Sequence, residues 1–171
     1  MNNEDIKFWR YYIPAINGEG WGIFLLDSTG MFSAVTDYAN AAYKWDYHAK
    51  KDFRQFFAKG MSSTRLLNNL FYHLREYDPD ETLKSVKEYI LHLRGDQSLT
   101  REAARKEWDL LEQYDWLDND ADFTRWHDET NLNDVGELYK LGYPSDAQAF
   151  VEKLMPRFCE AVAADLAEES E

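Results

Sequence analysis

The stretch that decides the fold is residues 21–45, WGIFLLDSTGMFSAVTDYANAAYKW. Residues 21–26 and 31–36 are short runs rich in β-branched and aromatic side chains, which is typical of β-strands. The intervening DSTG tetrapeptide predicts a tight reversal, because its glycine, Gly30, can adopt a positive φ. This segment is therefore predicted to form a β-hairpin.

Two further strands are expected beside this hairpin. Residues 6–13 are enriched in aromatic and β-branched side chains and end at Pro14, where a strand would lose a backbone donor. Residues 42–45 follow a polar bend at residues 37–40 and can form a last strand. The sequence therefore predicts an antiparallel meander of about four strands.

Helical spacing replaces the strand pattern after Tyr47. Apolar side chains then recur every three or four residues, as on one face of a helix, and the stripes follow residues that favour helix starts. The predicted helix starts are Ser62-Ser63-Thr64, Asp80, Thr100, Asp122 and Ser145, and Pro156 is expected to kink the last helix. We predict an α+β fold in which about five helices cover the sheet. One domain is expected over residues 1–171, with the sheet in 1–47 and an acidic helical part in 48–171.

The composition favours a folded intracellular protein. Apolar residues make up 44% of the chain and aromatic residues 16%, which is enough for a packed core. We expect no membrane segment, since no stretch approaches the ~20 apolar residues of a membrane span. The single cysteine, Cys159, lies in a helical pattern and is expected to be a buried thiol, which suits the cytoplasm of a bacterial host.

The negative charge is concentrated in the second half of the chain. The net charge is −13, yet residues 1–60 carry seven Lys/Arg and seven Asp/Glu. Residues 107–137 carry eleven carboxylates and one cation, Arg125, for a net charge of −10. Self-repulsion of this size opposes compaction, so a positively charged partner is a reasonable inference, whereas nucleic acid would be repelled.

The predicted partner-binding residues lie in this acidic segment. They are Glu107, Asp109, Glu112, Asp115, Asp118, Asp120, Asp122, Trp126, Asp128 and Glu129. The tryptophan is included because an aromatic side chain exposed beside carboxylates can anchor an interface, although some aromatic residues here must belong to the core. The alternative is an acidic solvated face with no specific role.

Motifs for cofactor, metal or nucleophile chemistry are incomplete. Gly18, Gly20 and Gly22 have no helix after them to hold a phosphate, and Glu88 with His92 is an ordinary helical pair. Residues 118–129 match the ligand spacing of a calcium-binding EF-hand loop, but Phe123 replaces its essential glycine. We therefore predict no catalytic residue, no metal and no cofactor. The enzyme alternative would use Asp37, Tyr38, Asn40 and His48 at the sheet edge.

Three parts of the sequence resemble small uncharacterised proteins encoded by bacteriophages and prophages. These parts are residues 21–45 with the following DFRQF at 52–56, the D-F-x-x-W pattern at 122–126, and the L-x-P-R-F pattern at 154–158. The resemblance implies a phage origin and an accessory role, and it brings no catalytic residue. Phage accessory proteins often act on host machinery or defence. We therefore expect a non-enzymatic acidic protein that binds a basic surface of a host protein and occupies a nucleic-acid site in a defence complex.

The sheet raises a separate question about its second face. Strand alternation places Phe24, Leu26 and Phe32 on one face, and Trp21, Ile23 and Leu25, which are also apolar, on the other. We expect helices to cover one of these two faces, and a homodimer partner or a target protein to cover the other; the alternation leaves open which set of side chains faces the helices.

Overall fold

The computed structural model describes residues 6–46 and 52–170. The strands are β1 (Phe8–Ile13), β2 (Gly22–Asp27), β3 (Met31–Thr36), β4 (Ala41–Lys44), β5 (Glu76–Tyr77) and β6 (Leu141–Gly142). The helices are α1 (Arg54–Ala58), α2 (Ser63–Leu70), α3 (Pro79–Gly95), α4 (Arg101–Gln113), α5 (Asp120–Glu129), α6 (Ser145–Ala149) and α7 (Met155–Glu168). The predicted α+β class, with an N-terminal antiparallel sheet followed by helices, is confirmed.

The first four strands form the predicted meander. They pair antiparallel in the order β1-β2-β3-β4. The β2–β3 turn is held by the Asp27 side chain, whose Oδ1 accepts hydrogen bonds from Thr29 N at 2.8 Å and Met31 N at 3.0 Å. Gly30 completes the reversal with a φ of 95°, a backbone conformation that residues other than glycine rarely adopt. Local turn chemistry therefore sets the hairpin register.

The inner face of this sheet carries Phe24, Leu26 and Phe32, each at most 1% exposed. Phe158 of α7 stacks on Phe24 with ring centroids 4.3 Å apart, and Phe57 of α1 stacks on Phe32 at 5.4 Å. Aromatic packing of this kind adds to the stabilisation from burial alone. Helices therefore cover the face with Phe24, Leu26 and Phe32, which decides between the two faces that the sequence left open.

Most helix starts agree with the predicted caps. The Ser62 side chain accepts from Arg65 N before α2, and Thr100 accepts from Ala103 N before α4. The two caps predicted at Asp80 and Asp122 were wrong. Asp78 caps α3 in place of Asp80, because Pro79 occupies the first helical position, where its missing N–H costs nothing.

The last helical region changes its winding before Pro156. Residues 150–154 form a π-helical segment between α6 and α7, and Pro156 is the second residue of α7. A proline inside a regular helix removes one hydrogen bond and its ring collides with the carbonyl four residues earlier, and a wider turn relieves that collision. The disturbance predicted at Pro156 therefore takes the form of a π turn.

A buried ion cluster connects α1 with α7. The Arg54 side chain is 3% exposed and donates to Asp52, to Asp165 at 2.7 Å and to Glu169 at 2.5 Å. Tyr11 of β1 donates to the same Asp165 carboxylate at 2.7 Å. Three carboxylates thus surround one buried guanidinium.

The described residues divide into two compact units. The first comprises Met1–Leu74 and Tyr143–Glu171, and the second comprises Arg75–Gly142. In the second unit the β5–β6 pair joins the two ends of the segment, and α3, α4 and α5 enclose a separate core that includes Ile90, Leu111 and Trp126. The predicted covering of the sheet thus falls to α1, α2, α6 and α7. The expectation of one domain stays a prediction.

Candidate interaction surfaces

The acidic segment lies on two helices of the second unit. Leu111 of α4 and Phe123 of α5 face the core of this unit, at 0% and 5% exposed. Because both helices are amphipathic, most of the remaining side chains point outward. The second unit carries nine Lys/Arg and 18 Asp/Glu, so it holds −9 of the total charge of −13.

Three of the ten predicted partner-binding residues are buried. Glu107 is 4% exposed and accepts from Thr130 Oγ1 at 2.6 Å and Asn131 N at 3.3 Å, which connects α4 to the segment after α5. Trp126 is 0% exposed and packs against Phe123. The prediction that Glu107 and Trp126 contact a partner was therefore wrong, since both groups are used inside the unit.

Asp122 is the third buried residue, at 5% exposed. It was predicted to cap α5, but Asn119 does so and accepts from Asp122 N at 3.1 Å. The Asp122 carboxylate in turn accepts from Asn119 Nδ2 at 2.5 Å. This reciprocal arrangement resembles a capping box, so Asp122 stabilises the start of the helix and is not available to a partner.

The other seven predicted residues are exposed and define what we call the acidic surface. They are Asp109, Glu112, Asp115, Asp118, Asp120, Asp128 and Glu129. Within the described residues, the ion pair on this surface is Arg105–Asp109 at 3.1 Å, and the ring of His127 lies 3.5 Å from Asp128. Most of these carboxylates therefore lack a cation of their own, and a cationic partner could supply it.

Two tyrosines contact this surface. Tyr139 donates to Asp120 at 2.7 Å, and this hydrogen bond, together with burial, raises the pKa of Tyr139 to about 12. The side chain of Glu129 raises the pKa of Tyr114 in the same way, through a hydrogen bond first and burial second. Both tyrosines therefore remain protonated donors at neutral pH.

A left-handed turn carries the chain from α4 to α5. Asp115, Trp116 and Leu117 have φ values of 46°, 57° and 61°. Each such residue costs roughly 1–2 kcal/mol relative to a right-handed conformation. Leu117 is fully buried and its carbonyl accepts from Tyr77 Oη at 2.8 Å, which offsets part of that cost. The turn leaves Asp115 exposed at the centre of the acidic surface.

The calcium-loop spacing does not correspond to a loop. Residues 120–129 form α5, and the Thr124 hydroxyl donates to the Asp120 carbonyl within the helix. No group of three or more His, Cys, Asp or Glu suited to a metal ion occurs among the described residues. His92 Nε2 lies 3.8 Å from the carboxylate of Asp96, which follows His92 by one helical turn. This is an ordinary pair at the end of a helix.

The residues of the enzyme alternative are used in turns. Asp37 accepts from Gly20 N at 2.8 Å, and Asn40 accepts from Thr36 N at 3.2 Å. Tyr38 packs beside Gly20, and His48 lies outside the described residues. The two hydrogen bonds assign Asp37 and Asn40 to the chain reversals at the sheet edge.

The outer face of the meander is the second exposed surface. We define it by the outward residues of the four strands, which are Phe8, Arg10, Tyr12, Ile23, Leu25, Met31, Ser33, Val35, Ala42 and Lys44. On the edge strand β1, Phe8 is 71% exposed and Tyr12 58%, and on the central strand β3, Val35 is 50% exposed, so aromatic and apolar side chains together form an exposed patch on this face. The sequence showed only that the side chains on both faces of the sheet are apolar.

The membrane-helix search and the comparisons with known proteins gave the following findings. No helix in the described part of the chain is long and apolar enough to cross a membrane. No curated protein and no solved structure matches the chain. The profile of a protein family described as "Phage family" matches residues 4–164. The predicted resemblance to phage proteins is thereby confirmed, and the chain belongs to this phage family.

Proposed function

We propose that this phage protein is a non-enzymatic accessory protein that binds a basic surface of a host protein through the acidic surface. The observation that carries the proposal is the set of seven exposed carboxylates on α4, α5 and the turn between them. The second unit tolerates the self-repulsion of a net charge of −9. A partner with Lys and Arg side chains would relieve that repulsion on binding.

The chemistry of the acidic surface favours electrostatic recognition. Trp126 is in the core, and the other two tryptophans of the second unit, Trp108 and Trp116, are half-buried. Lys87 Nζ lies 4.9 Å from the centroid of the Trp116 ring, so this ring already has a cation–π contact within the chain. Specificity would then come from the pattern of carboxylates, and association should be fast and sensitive to salt.

The finer role is inhibition of a host defence complex in the bacterial cytoplasm. Duplex DNA carries one charge per ~1.7 Å of helix axis, and carboxylates on successive helical turns reproduce part of that charge density. A host protein that binds nucleic acid through a basic surface is therefore the partner class that the acidic surface fits best. Direct binding of nucleic acid to these carboxylates would be repulsive.

The test compares two variants that lose the same charge. In the first, Glu112→Gln, Asp115→Asn, Asp118→Asn and Asp128→Asn neutralise the acidic surface; in the matched control, Glu19, Glu88, Glu152 and Glu160, which are also exposed, become Gln. Each protein is immobilised and incubated with lysate of the infected host. Proteins that are captured by the unchanged chain and the control, but lost with the first variant, identify the partner.

The captured partner is then titrated at increasing salt. We expect its affinity to fall steeply with salt, by roughly tenfold or more between 50 and 200 mM, and nucleic acid to compete for the same partner. A partner that both variants retain equally, at any salt concentration, would leave the acidic surface as a solvated face with no specific role.

A further inference from the structure

We infer that the outer face of the four-stranded sheet binds a second copy of this chain, which goes beyond the proposed function and does not depend on it. The centre of this face is apolar, since Leu25 is 45% exposed and Val35 50%, and Ile23 lies on the same strand as Leu25 and pairs with Val35. The first unit buries the opposite face under α1 and α7 and leaves this one open. An open apolar sheet face of this kind is typical of an interface.

The charges on the face permit contact between two copies. Each copy carries a net charge of −13, so surfaces rich in carboxylates repel one another. None of the ten residues that define the outer face is a carboxylate, and the one carboxylate in the four strands, Asp27, is 7% exposed and held in the β2–β3 turn. The exposed charges are Arg10 on β1 and Lys44 on β4, the two edge strands.

The shape of the face is complementary to itself. The β1 side carries the bulky Phe8, Arg10 and Tyr12, whereas the β4 side has Lys44 at one end and, next to it along the face, the small Ala42 beside Ser33 of β3. A two-fold axis parallel to the strands places β1 of one copy over β4 of the other. The bulky half of each copy then covers the shallow half of its partner, as in an isologous interface.

The strand register fixes which residues meet in that arrangement. Arg10, Leu25, Ser33 and Ala42 form one row across the sheet, so Leu25 faces Ser33 of the second copy and Arg10 faces Ala42. The row that contains Phe8 ends at Lys44, so the Phe8 ring faces Lys44 of the second copy, a favourable cation–π geometry. Two sheets joined in this way form a β-sandwich, whose layers lie about 10 Å apart.

Sedimentation equilibrium of the full chain tests the dimer. We expect the 20.2 kDa chain to reach twice its mass at micromolar concentration. Leu25→Glu and Val35→Glu should each weaken dimerisation by about tenfold or more, because each buries a carboxylate. Leu91→Glu is the matched control, since Leu91 is 61% exposed on α3 and should leave dimerisation unchanged.

Cross-linking tests the arrangement. In a Cys159→Ala background, a chain with Arg10→Cys is mixed with a chain with Ala42→Cys and treated with a short bismaleimide. We expect cross-linked dimers in the mixture and few in either chain alone. Each chain then contains a single cysteine, so an internal cross-link cannot form.

Two results would overturn the inference. One is a monomer at concentrations up to about 1 mM, which would leave the face to a host protein or another ligand. The other is a dimer that Leu25→Glu and Val35→Glu do not weaken, or that cross-links through Arg10→Cys alone, because either would place the contact elsewhere or in a different symmetry.

Discussion

Two buried charged groups, one in each unit, are held in opposite ways. In the first unit a buried cation, Arg54, is surrounded by three carboxylates that reach solvent to different extents. In the second unit a buried carboxylate, Glu107, is bound by the Thr130 hydroxyl and the Asn131 N–H, and no cation pairs with it among the described residues. One site relies on opposite charges and the other on neutral donors.

This difference predicts how each unit responds to a change in its surroundings. An ion cluster depends on the protonation of its carboxylates, whereas a carboxylate held by neutral donors depends on those hydrogen bonds. Each unit contains three tryptophans whose indole N–H signals in NMR spectra report on it separately. They are Trp9, Trp21 and Trp45 in the first unit, and Trp108, Trp116 and Trp126 in the second.

Loss of the buried cation should have the largest effect. Arg54→Met keeps most of the side-chain volume but leaves three carboxylates facing one another without a counter-charge. We expect the first unit to lose about 3 kcal/mol of stability, at the low end for a broken buried pair because the carboxylates reach solvent. Chemical denaturation followed by the indole signals measures this loss. An equal loss of stability in both units would contradict the proposed role of Arg54 in the first unit alone.

Acid should weaken the same cluster, with a smaller effect. Hydrogen bonds from Tyr11 and Arg54 lower the pKa of Asp165, and those from Arg54 lower the pKa of Glu169. For Asp52, burial raises the pKa, but the bonds from Arg54 outweigh it and the net shift is downward.

Because these folded-state pKa values lie below the unfolded ones, the stability that the three carboxylates contribute is fully present above about pH 5 and is lost as the pH falls through the folded values. We therefore expect the stability of the first unit, followed by its indole signals, to fall from about pH 5 downward. The Arg54→Met variant serves as the control, because its dependence on pH over this range should be weaker. The same dependence in both proteins would count against the ion cluster as the cause.

Replacement of the buried carboxylate should have an intermediate effect. Glu107→Leu leaves the Thr130 hydroxyl and the Asn131 N–H without their acceptor, which we expect to cost the second unit about 1–2 kcal/mol. Glu107→Gln is the matched control, since its carbonyl oxygen can still accept one of the two bonds. If Glu107→Leu proved as stable as the unchanged chain, the hydrogen bonds would not be what holds this residue.

Added salt should produce the smallest change in stability. It should stabilise the second unit, whereas acid destabilises the first. The second unit carries a net charge of −9, so screening its surface carboxylates should stabilise it by a few tenths of a kcal/mol between about 0.02 and 0.5 M NaCl. The neutralised acidic-surface variant should respond less. Thermal denaturation at several salt concentrations, monitored by Trp126, measures the change.

The parts of the fold that were predictable depend on neighbouring residues. The DSTG turn and the caps at Ser62 and Thr100 act within four residues along the chain, and the sequence showed all of them. The Arg54 cluster was missed because two of its partners are 111 and 115 residues away. No local pattern distinguishes such an arginine from a surface cation.

The candidate site was predicted in part. The carboxylate pattern identified the acidic surface, but the charge count alone did not separate exposed from buried members. The helical period does contain that signal for one of them, since Glu107 is one turn from Leu111 and therefore lies on the core side of α4. The burial of Trp126 beside Phe123 follows the same periodicity.

The division of the chain also bears on its synthesis. The second unit is one continuous segment, whereas the first unit needs α6 and α7, which follow that segment, to cover the sheet made from residues 8–44. At roughly 5–20 residues per second, the ribosome needs several seconds to add the intervening residues. During this interval the second unit can fold, but α7 has not yet been synthesised and cannot cover Phe24, Leu26 and Phe32. The nascent chain should therefore be most prone to aggregation, and most dependent on host chaperones, just before its last helix emerges.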